Sequence, residues 1–241
     1  LYTEALAQPD IVALSIATRC DCLPPDVLDL LAELNTIKPV WVELGLQTIH
    51  EHTLRFIRSG FSLAQYEQAV SALHARGIKV ITHLILGLPG ETKEDVEETI
   101  RRVQELGPDS LTVHSLAIKR ASRLSQWILE HGISTLHNTD ETMAIAAQGA
   151  KQMGMEPYYL YRQKNMSGNF ENTGYARPGK YGLYNILIME EKQTIVALGA
   201  GSITKRVFPD GRIERCDNVK DVGLYIEKID EMIKRKRELF T

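Results

Sequence analysis

Apolar residues along this chain recur with two alternating periods. IVALSIA (11–17) is a continuous apolar run of the kind a strand buried on both faces requires. PPDVLDLLAELN follows, with prolines ahead of its first turn and Val27, Leu28, Leu30, Leu31 and Leu34 on a helical stripe. VWVELGLQ (40–47) is strand-like again and places Glu43, Gly45 and Gln47 on one face. SLAQYEQAVSALHARG (62–77) predicts a helix opened by a Ser62/Gln65 capping box and stopped at Gly77. IKVITHLILG is the third strand, and Thr92 with Asp95 starts a helix running to about Leu106. SLTVHSLAI (110–118) is the fourth strand, and helices are expected near 121–132 and over 139–153, the latter opened by Thr139.

Beyond that point the pattern changes. EPYYLYRQ, LYNILIM, TIVALGAG and ITKRVFP read as short β-rich pieces, with Pro209-Asp210-Gly211 as a turn before RIERC. NVKDVGLYIEKIDEMIKRKRELF reads as one closing amphipathic helix. Strands alternating with helices predict an α/β fold with a parallel sheet. Four βα units suit a partial barrel, or an open sheet whose first strands lie upstream of Leu1. The expected organisation is a barrel part over 1–135 and an α+β region over 136–241. In either architecture ligands gather at the carboxyl ends of the strands, which directs attention to Thr18-Arg19, Gln47, the Gly87-Leu88-Pro89-Gly90 turn and Ala117-Ile118-Lys119.

Composition narrows the classes without choosing among them. Of the 241 residues 44% are hydrophobic and the formal net charge is −3, which describes a globular chain and argues against a general nucleic-acid binder. No apolar run approaches the ~18 residues of a membrane helix. The opening LYTEALAQPD lacks the pattern of a secretory leader, and the missing initiator methionine suggests a piece of a longer chain. Three sparse cysteines, Cys20, Cys22 and Cys216, suit a reducing cytoplasm and not a disulfide scaffold. Cys20 and Cys22 form a lone C-x-C without a second pair, so no metal site is expected.

Candidate chemistry collects at the predicted strand ends. A Glu and a Gln facing inward require partners, supplied by a polar ligand or by an internal hydrogen-bonded network. His83 faces the same way if Ile85 and Gly87 do. The Gly87–Glu91 turn precedes a helix whose first N–H groups are free, and Gly199-Ala200-Gly201 is a second permissive turn. His114 and Ser115 at a strand end, Lys119, Arg120 and Arg123 beyond it, and Tyr161, Arg162, Gln163, Lys164 and Asn165 form a cation- and amide-rich set suited to a ligand with several carboxylates.

The segments SIATRCD, ELGLQT and THLILGLPGE together resemble the middle of a radical S-adenosylmethionine (SAM) enzyme core. Residues 1 to about 90 are most similar to the YhcC-like branch. Residues from about 93 onward resemble the HemZ-like relatives of the oxygen-independent coproporphyrinogen III oxidases, through PDSLTVHSLAIKRAS, MGMEPYYLYRQKNM, ENTGYA, LYNILIMEEKQTIVALGAG and KRVFPDGRIERC. The resemblance implies a partial TIM-type (β/α)6 barrel, lacking its first strands, with a C-terminal α+β extension. It implies SAM and a [4Fe-4S] cluster as cofactors. Gln47 matches the strand glutamine that contacts SAM, and the arginine expected after it falls at Ser59, beside Arg58. His83 stands where the oxidases carry Asp, Cys20 replaces a usual proline, and LGAGSIT resembles their GxGAHS segment without its His. The expected SAM set is thus Arg19, Glu43, Gln47, Arg58, His83, Gly87, Ala117, Gly199 and Gly201. The substrate set is His114, Lys119, Tyr161, Arg162, Gln163, Lys164 and Asn165.

The C-x3-C-x2-C triplet that holds the family's cluster is absent, so its ligands are expected upstream and this chain alone is expected to be inactive. The implied activity is oxidative decarboxylation of coproporphyrinogen III propionates to vinyls in haem biosynthesis. A flavodoxin or ferredoxin is implied as electron donor, with neither membrane nor nucleic acid as partner. The alternatives are a HemW-like haem chaperone, a YhcC-like enzyme with another substrate, and an inactive fragment.

Overall fold

The computed structural model describes residues 1–119, 122–132, 138–162 and 166–241. Its helices are α1 (Tyr2–Leu6), α2 (Pro25–Ile37), α3 (Glu51–Phe56), α4 (Leu63–His74), α5 (Lys93–Leu106), α6 (Arg123–His131), α7 (Asp140–Gln152), α8 (Leu183–Met189), α9 (Val222–Glu227) and α10 (Ile229–Phe240). Its strands are β1 (Leu14–Thr18), β2 (Val40–Gln47), β3 (Lys79–Leu86), β4 (Ser110–Ser115), β5 (Glu156–Tyr161), β6 (Asn172–Ala176), β7 (Ile203–Val207) and β8 (Ile213–Asp217). By its contacts the chain divides into two compact units, Leu1–Gly182 and Leu183–Thr241.

The first unit is built on a sheet of order β1-β2-β3-β4-β6-β5, parallel from β1 to β4 and antiparallel at β6 and β5. The alternation of β2 fixes its two faces. Val40, Val42, Leu44 and Leu46 are buried, whereas Trp41, Glu43, Gly45 and Gln47 are half-buried. On β3 and β4 the buried set continues through Val80, Leu84, Leu86, Leu111 and Val113 into the main core, with Leu31 and Leu34 of α2, Leu73 of α4 and Val103 of α5. The opposite face becomes accessible toward the carboxyl ends, where His83, Ile85 and His114 are half-buried. That gradient concentrates accessible polar groups at one end of the strands.

Capping places the helices as their sequences predict. Ser62/Gln65, Thr92/Asp95 and Thr139/Thr142 each close a reciprocal capping box. The left-handed Gly107 ends α5. Tyr66 of α4 is fully buried, and its hydroxyl lies 2.8 Å from the Thr82 hydroxyl of β3, which pins helix to strand.

Four local expectations are corrected. LYNILIM is a helix, α8; a short, mostly apolar stretch fits either conformation, so periodicity does not separate them. TIVALGAG forms no strand, only a single bridge from Ile195 to Lys205. The closing helix breaks at Lys228, which leaves helical geometry (φ −102°, ψ 23°), into α9 and α10. Asn172–Ala176, unassigned by pattern, is a strand lying between β4 and β5. Through it β5 and β6 join the sheet of the first unit, whereas the sequence pattern changes near residue 135. The second unit carries the β7–β8 hairpin, turned at Gly211, with Met232 of α10 buried.

Candidate functional site

A cavity of about 540 Å³ opens at the carboxyl ends of the parallel strands. Its walls include Arg19, Glu43, Gln47, His83, His114, Ala117 and Lys119, which the sequence had singled out. Strand alternation explains the grouping: Gly45 pairs with His83, and Ile85 with His114, so their neighbours on the same face converge.

Glu43 is the hub. Ser15 Oγ donates to Glu43 Oε1 at 2.9 Å, and His83 Nε2 lies 3.0 Å from Glu43 Oε2. His83 Nδ1 lies 3.0 Å from His114 Nε2, and His114 Nδ1 lies 3.4 Å from the Tyr161 hydroxyl. One hydrogen-bonded row therefore links side chains of four strands, β5, β4, β3 and β2, passing over β6. Burial alone raises the Glu43 carboxyl, but the His83 bond, the charge on His83 and the Ser15 hydroxyl outweigh it and hold the group below the usual range. Burial, reinforced by His83, pushes His114 down to about 4, so it is neutral near pH 7.

Two glycines are required by close contacts around this row. A Cβ on Gly45 falls 2.5 Å from the Gln47 side-chain nitrogen, so the missing side chain lets the Gln47 amide fold back along the strand. Gln47 has φ +70°, where β2 shifts register against β3. A Cβ on Gly174 falls 1.8 Å from the Tyr159 ring, which lies flat on β6 and bonds the Thr112 hydroxyl at 3.0 Å. Tyr159 and Tyr161 stack with centroids 6.3 Å apart beside His114.

Other singled-out residues lie elsewhere. Arg58 (φ +56°) lies in a separate groove with Arg55, Ser59 and Gly60. Arg19 reaches toward that turn, with Nη2 3.2 Å from where a Gly60 Cβ stands, and is ion-paired to Asp21. Gly87 packs under the buried Asn138, whose Nδ2 donates to the Leu86 carbonyl at 2.9 Å and the Ser115 hydroxyl at 2.7 Å. Arg162 is exposed and paired with Glu171. Gln163, Lys164 and Asn165, like Arg120, lie outside the described residues. Gly199 and Gly201 are in the second unit, where the Gly199 carbonyl accepts from Asn218 Nδ2 at 2.8 Å. Sequence reading missed Ser15, Asn172 and Asn138. Asn172 lines the cavity, and its Oδ1 accepts the Ser115 N–H at 2.9 Å. The position of Asn138 just before the Thr139 cap was the one available signal for it.

The donor set decides which groups fit. Among the described residues no three His, Cys, Asp or Glu side chains are arranged to hold a metal ion. Cys20 and Cys216 are buried and Cys22 is exposed, each a free thiol, and burial with the neighbouring Asp21 pushes Cys20 up to about 11. An iron–sulfur cluster, which takes several thiolates, does not fit this set. A nucleoside-sized ligand fits the cavity, where amide, carboxylate, imidazole and cationic groups converge.

The family model of the radical SAM superfamily matches residues 2–103. Oxygen-independent coproporphyrinogen-III oxidase-like protein HemZ of Bacillus subtilis is 35% identical over 224 residues, covering 90% of this chain and 45% of that one. Protein YhcC of Escherichia coli is 42% identical over 127 residues, 52% of this chain and 41% of its own. Among solved structures, coproporphyrinogen III oxidase (HemN) of Escherichia coli superposes with a TM-score of 0.63 over 90% of this chain and 48% of that one; at 18% identity this shows the fold. The chain spans about half the length of the curated relatives it matches. No helix among the described residues is long and apolar enough to cross a membrane.

Proposed function

We propose that this chain, whose residues 2–103 match the radical SAM superfamily model, forms the cofactor- and substrate-holding part of an oxygen-independent coproporphyrinogen III oxidase. The family's cofactors are SAM and a [4Fe-4S] cluster. The observation that carries the reading is the convergence of Glu43, Gln47, His83 and His114 on one cavity at the strand ends, in a chain similar to HemZ over 90% of its length.

The cavity residues would hold SAM, whereas the thiolates for the cluster belong to a segment other than the residues described. Bound together, these cofactors supply one-electron, hydrogen-abstracting chemistry. The protein contributes position and electrostatics. Gln47, folded over Gly45, presents its amide at the rim. Glu43, held ionised, presents a carboxylate to hydroxyl or ammonium groups. Lys119 at the rim offers an ammonium to a propionate, with Arg162, once released from Glu171, as a second cation. The stacked rings of Tyr159 and Tyr161, with His114 set edge-on to Tyr161, offer aromatic surface to an oligopyrrole. The reaction in this reading removes carbon dioxide from propionates and leaves vinyls, with a flavodoxin- or ferredoxin-type protein delivering electrons.

The test is anaerobic incubation of coproporphyrinogen III with the protein, the cluster-bearing segment, SAM and a reductant. Mass spectrometry is expected to show loss of one carboxyl group per vinyl formed. Absence of that product while cluster and SAM are demonstrably bound sinks the assignment. Stoichiometric haem binding without turnover would favour the chaperone alternative.

A further inference from the structure

Gln47 stands in a backbone conformation that residues with side chains avoid. It is the middle residue of a three-residue turn closed by the Thr48 N–H, which donates to the Leu46 carbonyl at 2.9 Å. With φ at +70° this is the γ-turn of positive φ, the rare and strained member of its class. The strand ladder does not impose it. β2 slips register against β3 between Gly45 and Gln47, and Gln47 is the last residue of β2 paired with β3. Strain of this kind persists only where the surroundings hold it in place.

The surroundings that hold it are a buried polar cluster next to the turn. Thr48 and Thr53 are both buried, and the Glu91 carboxyl, at the end of the β3–α5 turn, faces both hydroxyls. The Thr48 oxygen accepts the His50 N–H at 3.2 Å, so its own proton is left for Glu91. Glu91 Oε1 and Thr53 Oγ1 are sealed from solvent and short of a closed hydrogen bond, so each is satisfied by drawing the facing group closer. Burial lifts the Glu91 carboxyl above its usual range against the pull of the two hydroxyls. A second tie runs beside the first, where His50 Nε2 lies 3.0 Å from the Asp95 carbonyl oxygen. Two segments that share no backbone ladder beyond Gln47 are thus joined through side chains.

We infer that Glu91 is a positioning residue, whose carboxyl braces the Leu46–Thr48 turn through Thr48 and Thr53 and so holds the Gln47 amide over Gly45, a role that rests on the reading of Gln47 as a ligand contact. Neither Glu91 nor either threonine lines the cavity, so their influence on a ligand passes through the turn.

Two measurements on the full chain test the brace. Without ligand, the ¹³C shifts of Gln47 are expected to report a positive φ in the native protein. Glu91→Ala and the near-isosteric Thr48→Val are expected to move them toward extended values, whereas Thr48→Ser, which keeps the hydroxyl, leaves them in place. Shifts that do not move in Glu91→Ala and Thr48→Val, or that move equally in Thr48→Ser, overturn the proposal whatever the chain binds. The second measurement is the affinity for S-adenosylhomocysteine. Glu91→Ala and Thr48→Val are each expected to weaken it about tenfold, the size of one misplaced hydrogen bond, and to have no further effect once Gln47 is Ala. Equal weakening in both backgrounds is the signature of general support to the fold and overturns the proposal. If Gln47→Ala leaves the affinity unchanged, or the native chain binds no S-adenosylhomocysteine, the reading of the cavity fails and the ¹³C shifts alone decide the brace. Should Glu91→Ala lose its native circular dichroism, Thr48→Val carries both measurements.

Discussion

One carboxylate and two imidazoles, joined in one hydrogen-bonded row, govern the site at the scale of single residues. The pH dependence of stability follows from them. The His114 value of about 4 lies below its ordinary 6.5, so between these values the unfolded chain binds a proton that the folded chain does not. Stability from this residue is complete above pH 6.5 and is lost as pH falls toward 4. Discounted for partial exposure, the loss is on the order of 2–3 kcal/mol. Glu43 acts in the same direction lower down, contributing above the ordinary carboxylate range and losing that contribution as pH falls through its folded value. Urea midpoints between pH 7.5 and 4.5 should fall steeply for the native chain and less steeply for His114→Gln. Parallel curves for the two proteins would refute the assignment. Much of this row was legible beforehand, because strand alternation put Glu43 and Gln47 on one face and His83 on the matching face of the next strand. Tyr161 was legible only as a residue near cations; its contact with His114 depends on β6 being inserted between β4 and β5.

At the scale of elements, packing decided what patterns left open. The α5–α7 contact is set by Gly149, where a Cβ falls 2.1 Å from the Ile100 side chain. Gly149→Ala is therefore expected to destabilise by about 1–3 kcal/mol through overpacking, despite alanine's better helix propensity. Adding Ile100→Ala removes the clashing methyl, so the double substitution should cost less than the sum of the two singles. Additive costs in chemical denaturation would show that the two helices do not meet as described. Helix starts were readable because capping residues act locally: Ser62, Thr92 and Thr139 each close their own first turn. The α8 segment was not readable, since Leu183–Met189 has no capping residue or polar period to separate helix from strand.

For the whole molecule, the division at Gly182 carries a consequence for function. Every residue lining the strand-end cavity lies in the first unit, between Ala17 and Asn172. A fragment of residues 1–182 is expected to fold with native-like circular dichroism and to bind S-adenosylhomocysteine as the full chain does. Loss of binding in a folded fragment would make the second unit part of the site, as the sequence expectation for Gly199 and Gly201 holds. The similarity to HemZ runs through both units, whereas the superfamily match ends at residue 103.

The sequence by itself determined the βα alternation, the end of the strands at which polar groups gather, and the absence of a thiolate set able to hold a cluster. These follow from local rules: side-chain period, caps, and the spacing of cysteines. Only the tertiary structure decided that β5 and β6 complete the sheet, that Gly87 serves Asn138 and not the cavity, and that Arg58 lies in a separate groove. Those outcomes depend on contacts between residues far apart in the chain, which no local pattern encodes.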